Sequence, residues 1–352
     1  MADRLYNHIL GSLATAGLGD AMGAATEQWS TRDIYQAYGG PLRTLLKPPP
    51  DTFSGAEGNE LGQITDDTSQ MYYLAETLIQ TDGHLTYEAW VQCLLRWAEE
   101  SPHVGNMGPT TRLVVAALRN GEDPYKVGVV GTSSRQMAKI GATNGSAMRV
   151  APAGLVNPGN IEAACQDALT TCLPSHNTQI AIAAACGIAA GVAQALTAGA
   201  DVYSVVQAVL AGARRGEALA AEKGRLAPGP SIINRTELAV NLALKATSLE
   251  EALASIEAYV GNSVDAAESM PAAVGLFVFA GGDPLETIVG GANIGNDTDT
   301  IAAIAGSLAG ALRGIEAVPP DLYQTFKTAN QAEFDVEALA RGLTAIAQRR
   351  LS

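Results

Sequence analysis

The chain is 352 residues long, and 36 Asp and Glu against 22 Lys and Arg give it a formal net charge of −14. That balance, with no basic run, speaks against nucleic acid as a partner, because a phosphate backbone needs clustered Lys and Arg. Hydrophobic residues make up 47% but aromatics 5%, with 37 glycines, so the composition predicts an all-α, compact multi-helix fold and not a sandwich or barrel.

No linker interrupts the apolar pattern, so residues 1–352 are expected to form a single domain with a sizeable core. The N-terminus, MADRLYNHILGSLATAGLGDAMG, contains acids and lacks the basic start and unbroken apolar core of a signal peptide. A first helix is expected over 4–18, followed by Gly19-Asp20-Ala21-Met22-Gly23, whose glycines permit tight backbone passage, and then by Glu27. Residues 39–62 hold three successive prolines among many Gly, Asp and Glu. They read as a non-helical surface loop near a site.

Helices resume at 67–81, 86–100 and 109–120, the last opening on Pro109, where a missing N–H is harmless. A small, polar stretch over 143–149 precedes an apolar run from Ala151. The turn Leu173-Pro174-Ser175-His176-Asn177 leads into an Ala-rich helix at 178–196. Residues 181–200 come nearest to a membrane span, but their Ala and Gly suit a buried helix, so no membrane association is expected. From the residues alone His176 reads as a hydrogen-bonded structural histidine. Cys93, Cys165, Cys172 and Cys186 show no CxxC spacing and lie in apolar helical contexts, which predicts buried, reduced thiols and a cytoplasmic setting. An apolar helix over 271–279 ends at Gly281-Gly282-Asp283-Pro284. In the helix after Thr300, Gly306 and Gly310 share a face that permits close backbone approach.

The most informative residues are two Thr/Asp turns, Thr65-Asp66-Asp67-Thr68 and Asp297-Thr298-Asp299-Thr300, each just before a helical pattern. Asp and Thr commonly cap helices, so either turn alone could be a cap. One cap oxygen suffices for a helix, however, and four carboxylates in two tight turns repel one another unless a cation neutralises them. Carboxylate and hydroxyl oxygens suit hard ions, so the pair predicts a site for one or two Mg²⁺ or Mn²⁺.

The ordered motifs GDAMGAATE (19–27), ITDDTSQ (64–70), NMGPTTR (106–112), TNGSAMRVAPAGL (143–155), LPSHNTQ (173–179) and GNDTDTIAAIAGSLAGALRG (295–314) resemble the ADP-ribosylglycohydrolase family over about residues 4–315. The resemblance implies an all-α fold with a binuclear Mg²⁺ or Mn²⁺ cleft whose ligands match Thr65, Asp66, Asp67, Asp297, Asp299 and Thr300. Glu27 matches a glutamate at that centre which governs substrate access or assists catalysis. Asn144, Gly145, Ser146 and Met148 match a segment at the distal part of the substrate cleft, His176 the turn supporting it, and Asn106 and Gly108 another substrate-facing motif. Where a family pattern has Asp-Ile-Gly this chain reads Asn106-Met107-Gly108, and an amide cannot accept a proton at neutral pH. The usual GGDTDT becomes Gly295-Asn296-Asp297-Thr298-Asp299-Thr300, which keeps the ligand positions.

The chemistry so implied is hydrolysis at ribosyl C1 through an oxocarbenium-like state, with Glu27, Asp66, Asp67 and Asp299 as the catalytic carboxylates. The leading expectation is removal of ADP-ribose from a small-molecule or protein-linked acceptor. The alternative is N-glycoside hydrolysis of a nucleoside or other small ribosyl metabolite, for which Trp29 offers a stacking surface. Arg149 and Lys139 are the candidates for holding a pyrophosphate. A non-catalytic binding or structural protein is disfavoured because all the ligand positions are retained. The oligomeric state is left open.

Overall fold

The computed structural model describes residues 2–127, 129, 132, 133, 137 and 139–351; the expected domain limits, Met1 and Ser352, lie outside them. Among the described residues the secondary structure is helical, and β-pairing is limited to isolated bridges such as Thr143–Asp265 and Thr178–Arg225. The all-α expectation holds. At the centre the N-terminal helix Ala2–Gly23 lies along helix Thr298–Arg313. Around this pair, helix Gln179–Ala195 packs between Ile161–Cys172 and Val202–Lys223, helix Ala266–Phe279 packs on Ile232–Lys245, and Val336–Leu351 covers Ala2–Gly23 and Asp66–Gln80. The Ala-rich segment near 181–195 is buried all round, as its composition predicts. Among the described residues no helix is long and apolar enough to cross a membrane.

The central pair departs from expectation at Gly19–Gly23, where the helix continues to Gly23 without a break. The reason is contact, not turning. A Cβ on Gly23 would fall into the backbone of Asp299, and one on Gly310 into the backbone of Gly11. Small residues therefore set how closely the two axes approach, and Asp299 is carried to within backbone contact of the N-terminal helix.

Other boundaries also differ. The 39–62 segment includes a short helix, Phe53–Glu57, whose Thr52 Oγ1 accepts from Gly55 N at 3.1 Å and whose end is set by Gly58 at φ +91°. A helical turn, Gly145–Met148, forms inside the stretch read as polar loop. The apolar helix read from 271 begins at Ala266 and contains Pro271. Proline lacks an N–H, which deprives the Ala267 carbonyl of its helical donor, and Arg235 Nη1 donates to that oxygen at 3.1 Å instead. All four cysteines are buried and unbridged.

Gly310→Val should lower unfolding free energy by about 3 kcal/mol, because overpacking against backbone has no rotamer to relax into. Urea unfolding of the variant against the parent chain measures this.

Candidate active site

Both acidic turns open onto one cleft of about 220 Å³ at the N-terminal ends of helices Asp66–Gln80 and Thr298–Arg313. Binding to first-turn amides accounts for one of their four carboxylates, Asp299, whose Oδ1 accepts from Thr300 N at 2.9 Å. At the first turn Thr65 Oγ1 accepts from Asp67 N at 3.2 Å, while Asp20 accepts from Thr65 N at 3.0 Å and Thr68 N at 3.1 Å. The helix start is thereby satisfied. Asp66 Oδ2 accepts from Gln70 Nε2 at 2.9 Å, and Asp67 Oδ2 is buried without a hydrogen-bond partner. At the second turn Asp297 makes no side-chain cap; its carboxylate accepts from Asn144 Nδ2 at 2.5 Å and Thr300 Oγ1 at 3.2 Å.

Glu27 joins them from the end of the first motif. Its turn is tied to the second acidic turn by two backbone bonds, Gln28 N to Asn296 O at 2.7 Å and Asn296 N to Trp29 O at 2.8 Å. Gln28 (φ +65°) and Asn296 (φ +61°) are both left-handed, a conformation asparagine tolerates better than most side chains, so Asn296 replaces glycine there at little strain. Burial, then the charges of Asp297 and Asp20, push the Glu27 carboxyl up to about 8. Burial pushes Asp297 up to about 6 against its hydrogen bonds from Asn144 and Thr300. Asp66, Asp67 and Asp299 stand well above the usual carboxylate range, from burial first and from neighbouring carboxylates second. The cleft thus concentrates desolvated, mutually repelling oxygen donors. These side chains share the cleft without closing into a metal-holding cluster: among the described residues no group of three or more His, Cys, Asp and Glu does so.

The ADP-ribosylglycohydrolase family model matches residues 1–351. The chain belongs to the ADP-ribosylglycohydrolase family. Among relatives of this family member, YegU of Escherichia coli (strain K12) is 30% identical over 94% of this chain and 95% of its own length. The ADP-ribosylarginine hydrolase Tri1 of Pseudomonas putida (strain GB-1) is 28% identical over 88% of this chain and 72% of its own. A solved structure titled "ADP-ribosylglycohydrolase-related protein complex" matches with a TM-score of 0.65, 24% identity, and coverage of 98% of this chain and 99% of that one. The chain therefore carries the ADP-ribosylglycohydrolase fold.

Of the positions read from sequence, Glu27, Asp66, Asp67, Asp297, Asp299 and Thr300 line the cleft, as do Asn106, Gly108, Asn144, Gly145, Met148 and His176. Thr65 sits behind the cleft as the helix cap, and Ser146 points away, donating to Ala181 O at 3.3 Å. Trp29 does not line the cleft either: its ring stacks on Tyr38 at 6.0 Å beside a separate depression with Asp33 and Asp51. Arg149 and Lys139 are not pyrophosphate ligands in this geometry. Lys139 is exposed and paired with Asp265 at 3.1 Å. Arg149 is fully buried over the Trp90 ring, donating to Gln70 Oε1 at 2.8 Å and Ser175 Oγ at 2.9 Å. It braces Asp66 through Gln70. Phe53, Met107, Thr111, Thr143 and Val264 also line the cleft, and neither they nor Asp20 were singled out in sequence; Asp20, Met107, Thr111 and Thr143 lie inside the quoted motifs, whereas Phe53 and Val264 lie outside them.

The charge of Arg149 also fixes His176. Arg149 donates to Ser175 Oγ, leaving the Ser175 hydroxyl hydrogen for His176 Nδ1 at 2.9 Å, so Nε2 carries the ring proton toward Thr143 Oγ1 at 3.0 Å. Burial, and then Arg149, hold the His176 pKa well below its ordinary 6.5. Below about pH 6.5 the unfolded chain gains a proton that the folded one refuses, so His176 costs stability as pH falls. The stability difference between parent and His176→Asn should shrink by about 1 kcal/mol between pH 7 and 5.5, read from urea unfolding at each pH.

Proposed function

We propose that this chain is a metal-dependent hydrolase of ribosyl glycosidic bonds that removes ADP-ribose from a modified acceptor, acting as one domain over residues 1–352. The observation that carries the reading is the meeting of Asp66, Asp67, Asp297, Asp299 and Thr300 in one cleft, with Asp67 Oδ2 buried and unpartnered. An all-oxygen donor set under mutual repulsion fits hard divalent ions, and we take one or two Mg²⁺ or Mn²⁺ as the cofactor. These residues would hold the ions, with Thr65 fixing the first turn behind them. When bound, the ions would supply Lewis acidity, fixing ribose hydroxyls and making water a better nucleophile.

The chain's own groups would do the rest. Asp66, Asp67 and Asp299 orient the attacking water and receive its proton, while Glu27 carries a proton beside the leaving group. Asn144 holds Asp297 in place, and the Thr143–His176 bond shapes the distal wall. The name of the Pseudomonas relative, an ADP-ribosylarginine hydrolase, supports an arginine-linked ADP-ribose as substrate. The four buried, unbridged thiols support a cytoplasmic setting.

One observation favours the second reading, N-glycoside hydrolysis of a nucleoside or small ribosyl compound. Among the described residues the cleft lining holds no Lys or Arg, so a pyrophosphate would lack a side-chain cation there. A hydrolysis screen of ADP-ribosyl-arginine, ADP-ribosyl-serine, O-acetyl-ADP-ribose and nucleosides with Mg²⁺ or Mn²⁺ separates the two. Turnover of an ADP-ribosyl compound is expected, and turnover of nucleosides alone would replace the first reading by the second.

Binding of a cation to the folded state alone must stabilise it by mass action. Millimolar Mg²⁺ or Mn²⁺ should raise the melting temperature of the parent chain by several degrees and leave Asp297→Asn and Asp67→Asn unmoved; equal shifts in all three would remove the metal site from the proposal.

A further inference from the structure

Glu27 receives a hydrogen bond from a residue that no cleft motif contains. Ser54, fully buried in the helix Phe53–Glu57, donates its hydroxyl to Glu27 Oε2 at 3.4 Å, and its oxygen accepts from Asn106 Nδ2 at 2.9 Å. We propose that Asn106 and Ser54 are positioning residues for Glu27, the amide setting the direction in which the serine hydroxyl donates. This rests on the reading of Glu27 as a proton carrier in the hydrolysis.

The argument is one of donor count. A hydroxyl has a single hydrogen and two lone pairs. Because Asn106 donates to the oxygen, the hydrogen is left for the carboxylate. An aspartate at 106 is acceptor-only when ionised and would compete with Glu27 for that hydrogen, reversing the chain of bonds. The amide that departs from the Asp-Ile-Gly pattern is thus the group this arrangement requires.

The scaffold behind the relay is built for fixed placement. A Cβ on Gly105 would collide with the Glu57 side chain, so the Ser54 helix and the Pro102–Asn106 turn lie flush. From the other side Glu333 holds the turn, accepting from Ser101 Oγ at 3.4 Å and meeting His103 Nε2 at 2.9 Å. Glu27 faces Asp297 and Asp20 as repelling neighbours, so a neutral donor is needed to order it.

The test is a double-mutant cycle on the full chain with Mg²⁺ or Mn²⁺, following hydrolysis of ADP-ribosyl-arginine and of a nucleoside, with melting curves to confirm folding. Ser54→Ala and Asn106→Ala should each lower kcat by about tenfold with KM little changed, since the bond that orients Glu27 is lost. The double variant should lose about tenfold, not the hundredfold that independent sites give. Asn106→Asp should fall below Asn106→Ala, and this comparison carries the test if Ser54→Ala does not fold. A hundredfold loss in the double variant, unchanged kcat in both singles, or Asn106→Asp at or above Asn106→Ala would each overturn the relay. Those results with Glu27→Gln impaired would leave the role of Glu27 standing. A Glu27→Gln variant of parental kcat, or no turnover of either substrate by the parent, would remove the reading on which the relay rests.

Discussion

Repulsion among buried carboxylates is the constraint around which this molecule is arranged. Asp20, Glu27, Asp66, Asp67, Asp297 and Asp299 meet where two helices begin, and burial pushes the carboxyls of all of them upward. Helix N-termini are places where negative charge is least costly, because unpaired amides and the helix dipole point outward there. The fold uses two such ends at once. It then adds neutral or positive partners from behind: Arg149 through Gln70, Asn144 on Asp297, Thr300 on the same carboxylate, and Ser54 on Glu27. The glycine-lined contact between the N-terminal helix and Thr298–Arg313 matters for the same reason, since it brings Asp299 beside the helix that carries Asp20 and leads to Glu27.

How much of this was legible in the sequence follows from the range of each interaction. The acidic turns, Glu27 and the motif around Asn144 are short and chemically unusual, and most of their residues meet in the cleft. Their convergence was not visible, because it depends on helices hundreds of residues apart in the chain. Helices with strong composition, such as Gln179–Ala195, were read almost to the residue. Two of the differing boundaries share one cause. By local preference glycine at 19–23 suits tight backbone passage after a helix and proline at 271 suits a helix start, whereas tertiary partners, the Asp299 backbone and the Arg235 guanidinium, make helix the better state through both. Phe53–Glu57 was hidden by neighbouring prolines that lie outside it.

Side-chain roles were less legible than backbone. Arg149 carries the right charge for a phosphate and sits in a motif that faces the cleft, yet its guanidinium turns inward over Trp90. Trp29 follows Glu27 by two residues, but the left-handed turn at Gln28 directs it onto Tyr38. Both cases turn on one rotation of the chain, which residue identity alone does not encode. Asp20 shows the reverse. It lay in plain view inside the first motif, and its task, accepting from Thr65 N and Thr68 N, became apparent when the two helices were seen together.

The paired left-handed residues Gln28 and Asn296 make the walls of the cleft unequal. Two backbone hydrogen bonds join the Glu27 turn to the turn carrying Asp297 and Asp299, so one backbone unit places all three acids. The opposite wall, from Met107 to Pro109 and from Thr143 to Gly145, is joined to them through side chains: Asn144 on Asp297, and Asn106, just before Met107, through Ser54 on Glu27. The cleft is therefore fastened unequally: its acidic face is held by backbone bonds that no side-chain substitution removes, and its opposite face by side chains, so sequence change resets the second face more readily than the first.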